Sequence, residues 1–204
     1  SDRTIGMQGT TGGVTLDSSG TGALVLSGVH VETAGAKTLT LKGLSDSLLA
    51  NTLGSINDYG IGVLTLIKSD SNTWVISGAS SYSGATSIND GILRFTADQT
   101  LAGALNFGSA NTITTAGTLD LSSASATFGG AMLVQTDSAT NINQLLLGAS
   151  EVLTINGNVT IGTARAASTN TLFTASGGGS MMVSNAATNG VFAVGGATTA
   201  ASVG

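Results

Sequence analysis

Apolar residues along this chain come in short bursts of three to five positions, and most bursts alternate. Examples are Ala23-Leu-Val-Leu26, Thr38-Leu-Thr-Leu41, Val63-Leu-Thr-Leu66, Trp74-Val-Ile76, Ile92-Leu-Arg-Phe95, Thr118-Leu-Asp-Leu121, Val152-Leu-Thr-Ile155 and Val159-Thr-Ile161. Large side chains at i and i+2 have the period of a strand with one buried face. Leu39 and Leu41 are predicted to point inward and Thr40 and Lys42 outward. Leu93 and Phe95 point in and Arg94 out; Leu119 and Leu121 point in, and Asp120 faces solvent. Between the bursts stand Ser18-Ser-Gly-Thr-Gly22, Ser69-Asp-Ser-Asn72, Asn89-Asp-Gly91 and Gly177-Gly-Gly179, residue types that make turns. The one stretch with a helical look, Leu44 to Leu53, reads as a loop or a single turn inserted between strands.

At least a dozen strands this short are too many for one sandwich of this length. The chain has no proline, a residue that edge strands and two-residue turns tolerate. Its absence suggests that most of the backbone joins a hydrogen-bonded ladder. The expected fold is therefore all-β: a right-handed parallel β-helix (β-solenoid) with short strands. Roughly twenty residues per turn would stack about ten rungs.

One segment is more specific than the rest. From Lys68 to Phe95 the chain runs Lys68-Ser-Asp-Ser-Asn-Thr-Trp-Val-Ile-Ser-Gly-Ala-Ser-Ser-Tyr-Ser-Gly-Ala-Thr-Ser-Ile-Asn-Asp-Gly-Ile-Leu-Arg-Phe95. It resembles the autotransporter-associated β-strand repeat, whose pattern reads W-x-L-S-G-x-N-x-Y-x-G-x-T-x-V-N-x-G-x-L. Trp74, Ile76, Ser77, Gly78, Tyr82, Gly84, Thr86, Ile88, Asn89, Gly91 and Leu93 fall on that pattern in register, while Ser80 replaces the usual Asn. Trp74 is expected in the core or at a corner. Gly78, Gly84 and Gly91 are expected at corners where a Cβ would clash, Gly84 with a positive φ. Tyr82 should bury its ring and keep its hydroxyl wet. Asn89 should bond backbone at a turn or stack on its neighbours. The resemblance implies a passenger domain of a surface protein exported across a Gram-negative-type outer membrane, in which the repeat serves transport and folding rather than catalysis.

Composition narrows the chemistry. Charged residues are 8% of the chain, the net charge is −5, and the six basic residues are scattered. Nucleic acid and anionic lipid, which need Lys/Arg clusters, are poor partners for such a surface. There is no cysteine and a single histidine, His30, so neither thiolate chemistry nor a zinc or copper site is expected. No cofactor and no metal are predicted. Some β-helix proteins cleave polysaccharides with paired carboxylates, so the acidic residues are a fair test. None lies within three positions of another; Asp70 with Asp90, and Asp98 with Asp120, are about one rung apart and could stack, and all read as turn residues. One Trp and two Tyr are a meagre supply for a sugar cleft.

The expected function is accordingly a secreted or cell-surface structural or adhesive solenoid (passenger spacer, stalk or fibre segment) and not an enzyme. The alternatives are a polysaccharide-acting β-helix enzyme or a carbohydrate-binding module. Residues 1–204 read as a single solenoid segment, a fragment of a longer chain, with 68–95 its best-matching repeat. The final 39 residues carry no charge and no polar cap. This predicts that the stack continues in the same chain or that copies associate end to end or laterally. Surface carbohydrate or a host surface is the further class of partner.

Overall fold

The computed structural model describes residues 2–44, 50–108, 115–135, 141–162, 171–184 and, as backbone, 192–194. Among them there are strands, turns and bends and no helix. The first sheet stacks β1 (Thr4–Met7), β3 (Val25–Val31), β5 (Asn51–Asn57), β7 (Thr73–Ile76), β9 (Gly91–Phe95), β12 (Gly117–Leu121), β15 (Ile142–Leu147) and β18 (Leu172–Gly177). The second stacks β2 (Gly12–Asp17), β4 (Gly35–Lys42), β6 (Gly62–Lys68), β8 (Thr86–Ile88), β11 (Leu105–Phe107), β14 (Met132–Val134), β17 (Val159–Ile161) and β20 (Phe192–Val194). A third, four strands deep, contains β10 (Gln99–Leu101), β13 (Ala126–Phe128), β16 (Val152–Ile155) and β19 (Ser180–Val183). Every described pairing is parallel, such as Val25 on Thr52, Thr73 on Ile92 and Thr118 on Gln144. The molecule is a parallel β-solenoid.

Two sheets are eight strands deep, fewer than the ten rungs expected, because most rungs are longer than twenty residues. Thr4 lies under Gly28 and Thr118 under Gln144; the spacing shortens to 19 positions where Thr73 pairs Ile92 and where Thr86 pairs Leu105. The reason is a change of cross-section. Through β6 a rung consists of two long strands; β3 and β5 have seven residues each, β4 eight and β6 seven. From β9 onward it consists of three shorter ones, as in β9, β10 and β11 with five, three and three residues. The short rung between them spans β7 and β8, inside the repeat-like segment. Of the helix-like stretch, Asn51–Leu53 begins β5, and 45–49 lie outside the described residues.

Inward positions form aliphatic columns. Leu26, Leu53, Ile76 and Phe95 stack in one, and Trp74, Leu93, Leu119 and Leu145 in another. In the second sheet Leu39, Leu66, Thr86, Leu105, Met132 and Val159 are in register. Burying one such Leu or Ile stabilises the fold by about 1.5–3 kcal/mol. Along one side of the three-sided rungs the pattern recurs at 27 positions: Thr100, Thr127 and Thr154 are stacked, and Gly103, Gly130 and Gly157 follow each by three. With Gly84 these glycines line one corner, two residues before β8, β11, β14 and β17. A Cβ on Gly130 would lie 2.8 Å from Ala104 N, and one on Gly157 2.6 Å from Ala131 N. Backbone passes directly over backbone at that corner, which only glycine allows.

Candidate functional site

Two places concentrate the chain's polar design: the repeat-like segment, and the corner between β5 and β6.

In the repeat, Trp74 is fully buried and its indole N–H donates to the Lys42 carbonyl at 3.3 Å. Tyr82 is also fully buried, which corrects the expectation of a wet hydroxyl. Its Oη lies 2.6 Å from Thr86 Oγ1, so a threonine replaces an aliphatic residue in that core column to partner the phenol. Burial pushes the phenol pKa far above its ordinary value, the Thr86 hydrogen bond offsetting only part of this. Gly91 has φ +67°, as a corner requires. Gly84 does not have a positive φ; its constraint is close packing, because a Cβ there would press on the Leu64 carbonyl, 2.6 Å from Leu64 C and 2.8 Å from Thr65 N. Gly78 is similar, with a Cβ 2.9 Å from Gly54 O. Ser80 takes over a backbone role: its hydroxyl accepts Ile56 N–H at 3.1 Å. Asn89 donates its backbone N–H to Lys68 O at 2.8 Å, while its side-chain Oδ1 is buried without a hydrogen bond.

Two residues sustain this segment without belonging to the motif. Gln99 opens the third sheet, where no strand lies beneath it. Its Nε2 donates to Gly78 O at 3.1 Å and Ala97 O at 2.6 Å, and its Oε1 accepts Ser80 N–H at 3.0 Å. The amide thus imitates the missing strand's peptide groups. Lys68 stands in a core column between Leu41 and Ile88. It is fully buried, and its Nζ donates to the carbonyls of Ser69, Asp70 and Asp90 at 2.8, 2.6 and 3.0 Å. Burial lowers its pKa to about 8, with Asp90 and Asp70 opposing the shift.

The carboxylates are structural rather than convergent. Asp120 is only 2% exposed, correcting its assignment to solvent. It does lie on the outer face, in register with Arg94. Arg94 Nε donates to its Oδ2 at 2.6 Å, and Ser122 donates both N–H and hydroxyl to Oδ1. The isosteric Asp120→Asn change is therefore expected to destabilise the fold by about 1–2 kcal/mol through loss of charge-assisted bonds, measurable by urea titration. Asp98 does not stack on Asp120 but bonds Ser125 N at 2.8 Å, and Ser125 Oγ donates to Glu151 at 2.8 Å. Asp70 Oδ2 and Asp17 Oδ2 both lie near Lys42 Nζ, at 3.9 and 3.3 Å. No group of three or more His, Cys, Asp or Glu side chains among the described residues could hold a metal ion. A shallow polar hollow of about 380 Å³ is lined by Asp90, Thr115, Asn141, Ile142 and Gln144.

The β5–β6 corner is built on Asp58, which is 1% exposed. Its carboxylate accepts Ser83 N–H at 2.7 Å, Ser83 hydroxyl at 2.6 Å, Gly60 N–H at 3.3 Å and Leu64 N–H at 3.4 Å. Its own carbonyl accepts Ile61 N–H at 2.9 Å, closing a turn whose central residues, Tyr59 and Gly60, have φ of 52° and 70°. The turn holds Tyr59 out at 64% exposure, flanked by exposed Ile61 and Val63. Beside it, the His30 and Tyr59 rings are 6.2 Å apart. His30 Nε2 is 3.1 Å from Glu32 Oε1, and Gln8 Nε2 donates to Glu32 Oε2 at 2.6 Å.

Burial works to raise the Asp58 pKa, but the Ser83, Gly60 and Leu64 hydrogen bonds prevail and lower it. Asp120 is lowered in the same way, its bonds from Ser122 and Arg94 outweighing burial. These groups bind protons less readily folded than unfolded, so their stabilisation is present above the unfolded carboxylate value and lost as pH falls through the depressed folded one. Lys68 follows the same sign in an alkaline window. Its folded pKa of about 8 lies below the ordinary lysine value of 10.5, so folding releases its proton and stability gains between those values. Urea midpoints across pH should show both limbs, and Lys68→Met should remove the alkaline one alone.

Comparison with known proteins agrees with this geometry. Residues 66–95 match the family described as passenger-associated-transport-repeat, so the chain carries such a repeat at the rung where the cross-section changes. A second similarity is to a protein named adhesin BmaC autotransporter from Brucella suis biovar 1 (strain 1330), 39% identical over 85 residues. That alignment covers 39% of this chain and 2% of the relative's length. No solved structure matches the chain.

Proposed function

We propose that this chain, which carries a passenger-associated-transport repeat, is a segment of a surface-displayed passenger: a non-catalytic β-solenoid that serves as adhesive scaffold or spacer on a Gram-negative-type cell. The observation that carries the reading is the repeat itself, set within an uninterrupted parallel ladder. The name of the Brucella relative supports the adhesive side. The carboxylates at Asp58, Asp98, Asp120 and Glu151 are occupied in holding backbone and serines, which supports a scaffold over a hydrolase. Display supplies the test. Bacteria exporting the chain through an outer-membrane translocator should present it to added protease on intact cells, and should adhere to a host-cell layer better than cells bearing the translocator alone. Retention inside intact cells, or release of reducing sugar from a polysaccharide by the purified chain, would overturn the reading.

A further inference from the structure

Tyr59 is in a position that folding does not explain. Positive φ at the first central residue of a turn normally falls to Gly, Asn or Asp. A tyrosine there is strained, and its 64% exposed ring recovers little by burial. Among the other aromatic side chains described in the stack, Trp74, Tyr82, Phe95, Phe107 and Phe128 are fully buried, and Phe173 is half-buried against the core with its ring 5.4 Å from that of Phe107. The turn is also rigid, because buried Asp58 ties it to Ser83 one rung away. Strain held in place by its surroundings marks functional positions.

The neighbours of the ring indicate the ligand. Glu32, His30 and Gln8 form a hydrogen-bonded row running from Tyr59 across earlier rungs. His30 is in register with Gly6 below and Asn57 above, so the row crosses three rungs, or about 10 Å at the spacing of adjacent strands. Space for the Glu32 carboxylate is kept by Gly6, where a Cβ would collide with it. The row offers carboxylate acceptors, an amide and an imidazole beside an aromatic face and the aliphatic edge of Ile61 and Val63. A protein partner needs roughly 800 Å² per side, far more than three apolar side chains provide. An anionic ligand would meet Glu32 and a chain of net charge −5.

We infer that the Tyr59 corner is a binding site for a neutral glycan, with one sugar ring stacked on Tyr59 and hydroxyls of the next bonded to Glu32, His30 and Gln8. This rests on the adhesive half of the proposed function and gives it an address. Saturation-transfer difference NMR on the folded chain, with lactose, cellobiose, maltose and diacetylchitobiose as probes and sialyllactose as the anionic comparison, tests it. At least one neutral disaccharide should receive saturation. Tyr59→Ala should weaken its binding about tenfold or more, as for an aromatic anchor. Tyr59→Phe should retain it, and Gly6→Ala, which displaces Glu32 without touching the ring, should weaken it several-fold. Tyr59→Asn should abolish binding while raising the melting temperature. No saturation of any neutral probe, equal binding by Tyr59→Ala, preference for sialyllactose, or a concentration-dependent dimer that Tyr59→Ala dissolves would each overturn the site. Surface display would be unaffected by that failure, so the two readings fall separately.

Discussion

Gly84→Val is expected to abolish cooperative folding of the stack, or to weaken it by about 4 kcal/mol or more, a loss that only a few mechanisms produce. The added side chain would be driven into Leu64 and Thr65 backbone. Neither can retreat, because Gly84 N donates to Leu64 O at 3.0 Å, the ladder bond that holds the two rungs together. Separating them enough for a Cβ breaks that bond and its neighbours. Gly103→Val should behave alike, since its Cβ would strike the Gly84 carbonyl. Gly22→Val, with nothing within 4 Å of its Cβ, is the control and should stay within about 0.5 kcal/mol of the parent. Urea denaturation followed by far-ultraviolet circular dichroism reads all three. A Gly84→Val protein with a midpoint near the parent's would show that the corner is looser than drawn.

Trp74→Ala should follow closely, at about 3–5 kcal/mol for a fully buried indole. Trp74 fills the rung between Asn51 and Leu93 at the level where two faces become three. The Lys42 carbonyl that it bonds is not orphaned, because Ser18 N–H and Asn72 Nδ2 also donate to it, at 2.9 and 3.3 Å. The loss is therefore one of packing, and Trp74→Phe should recover most of it. Trp74 is the single tryptophan, so the comparison needs circular dichroism rather than fluorescence.

The alternation of large residues was enough to show strands, their inward faces and the parallel stack, and the spacing of Trp, Tyr and Gly singled out the repeat. Other features were present but need reading across rungs. The 27-position recurrence of Thr and Gly is hidden because the apolar residues beside it change from Leu to Phe to Ile at Leu101, Phe128 and Ile155. Lys68 and Lys37 continue the alternation of their strands and are inward by that rule, yet charge argues the opposite until corner carbonyls are seen to receive them. Lys37 Nζ bonds Thr33 O at 2.5 Å. Asp120 was misplaced for a reason particular to solenoids. An outward side chain has neighbours one rung above and below, and Arg94 lies 26 positions away in sequence, beyond any local pattern. The strained Tyr59 turn was invisible because Tyr-Gly is not a turn signal, and only its φ identifies it.

The ladder bonds of this stack run along its long axis, which gives the segment a mechanical character. Tension applied end to end would meet one rung at a time, since peeling the outermost coil leaves the next intact. At the 27-position spacing of Ala126 and Leu153, one coil released would pay out about 90 Å of extended chain. A cell tethered through such a segment would thus be held by a line that lengthens in discrete steps and dissipates a sudden pull before the anchor fails.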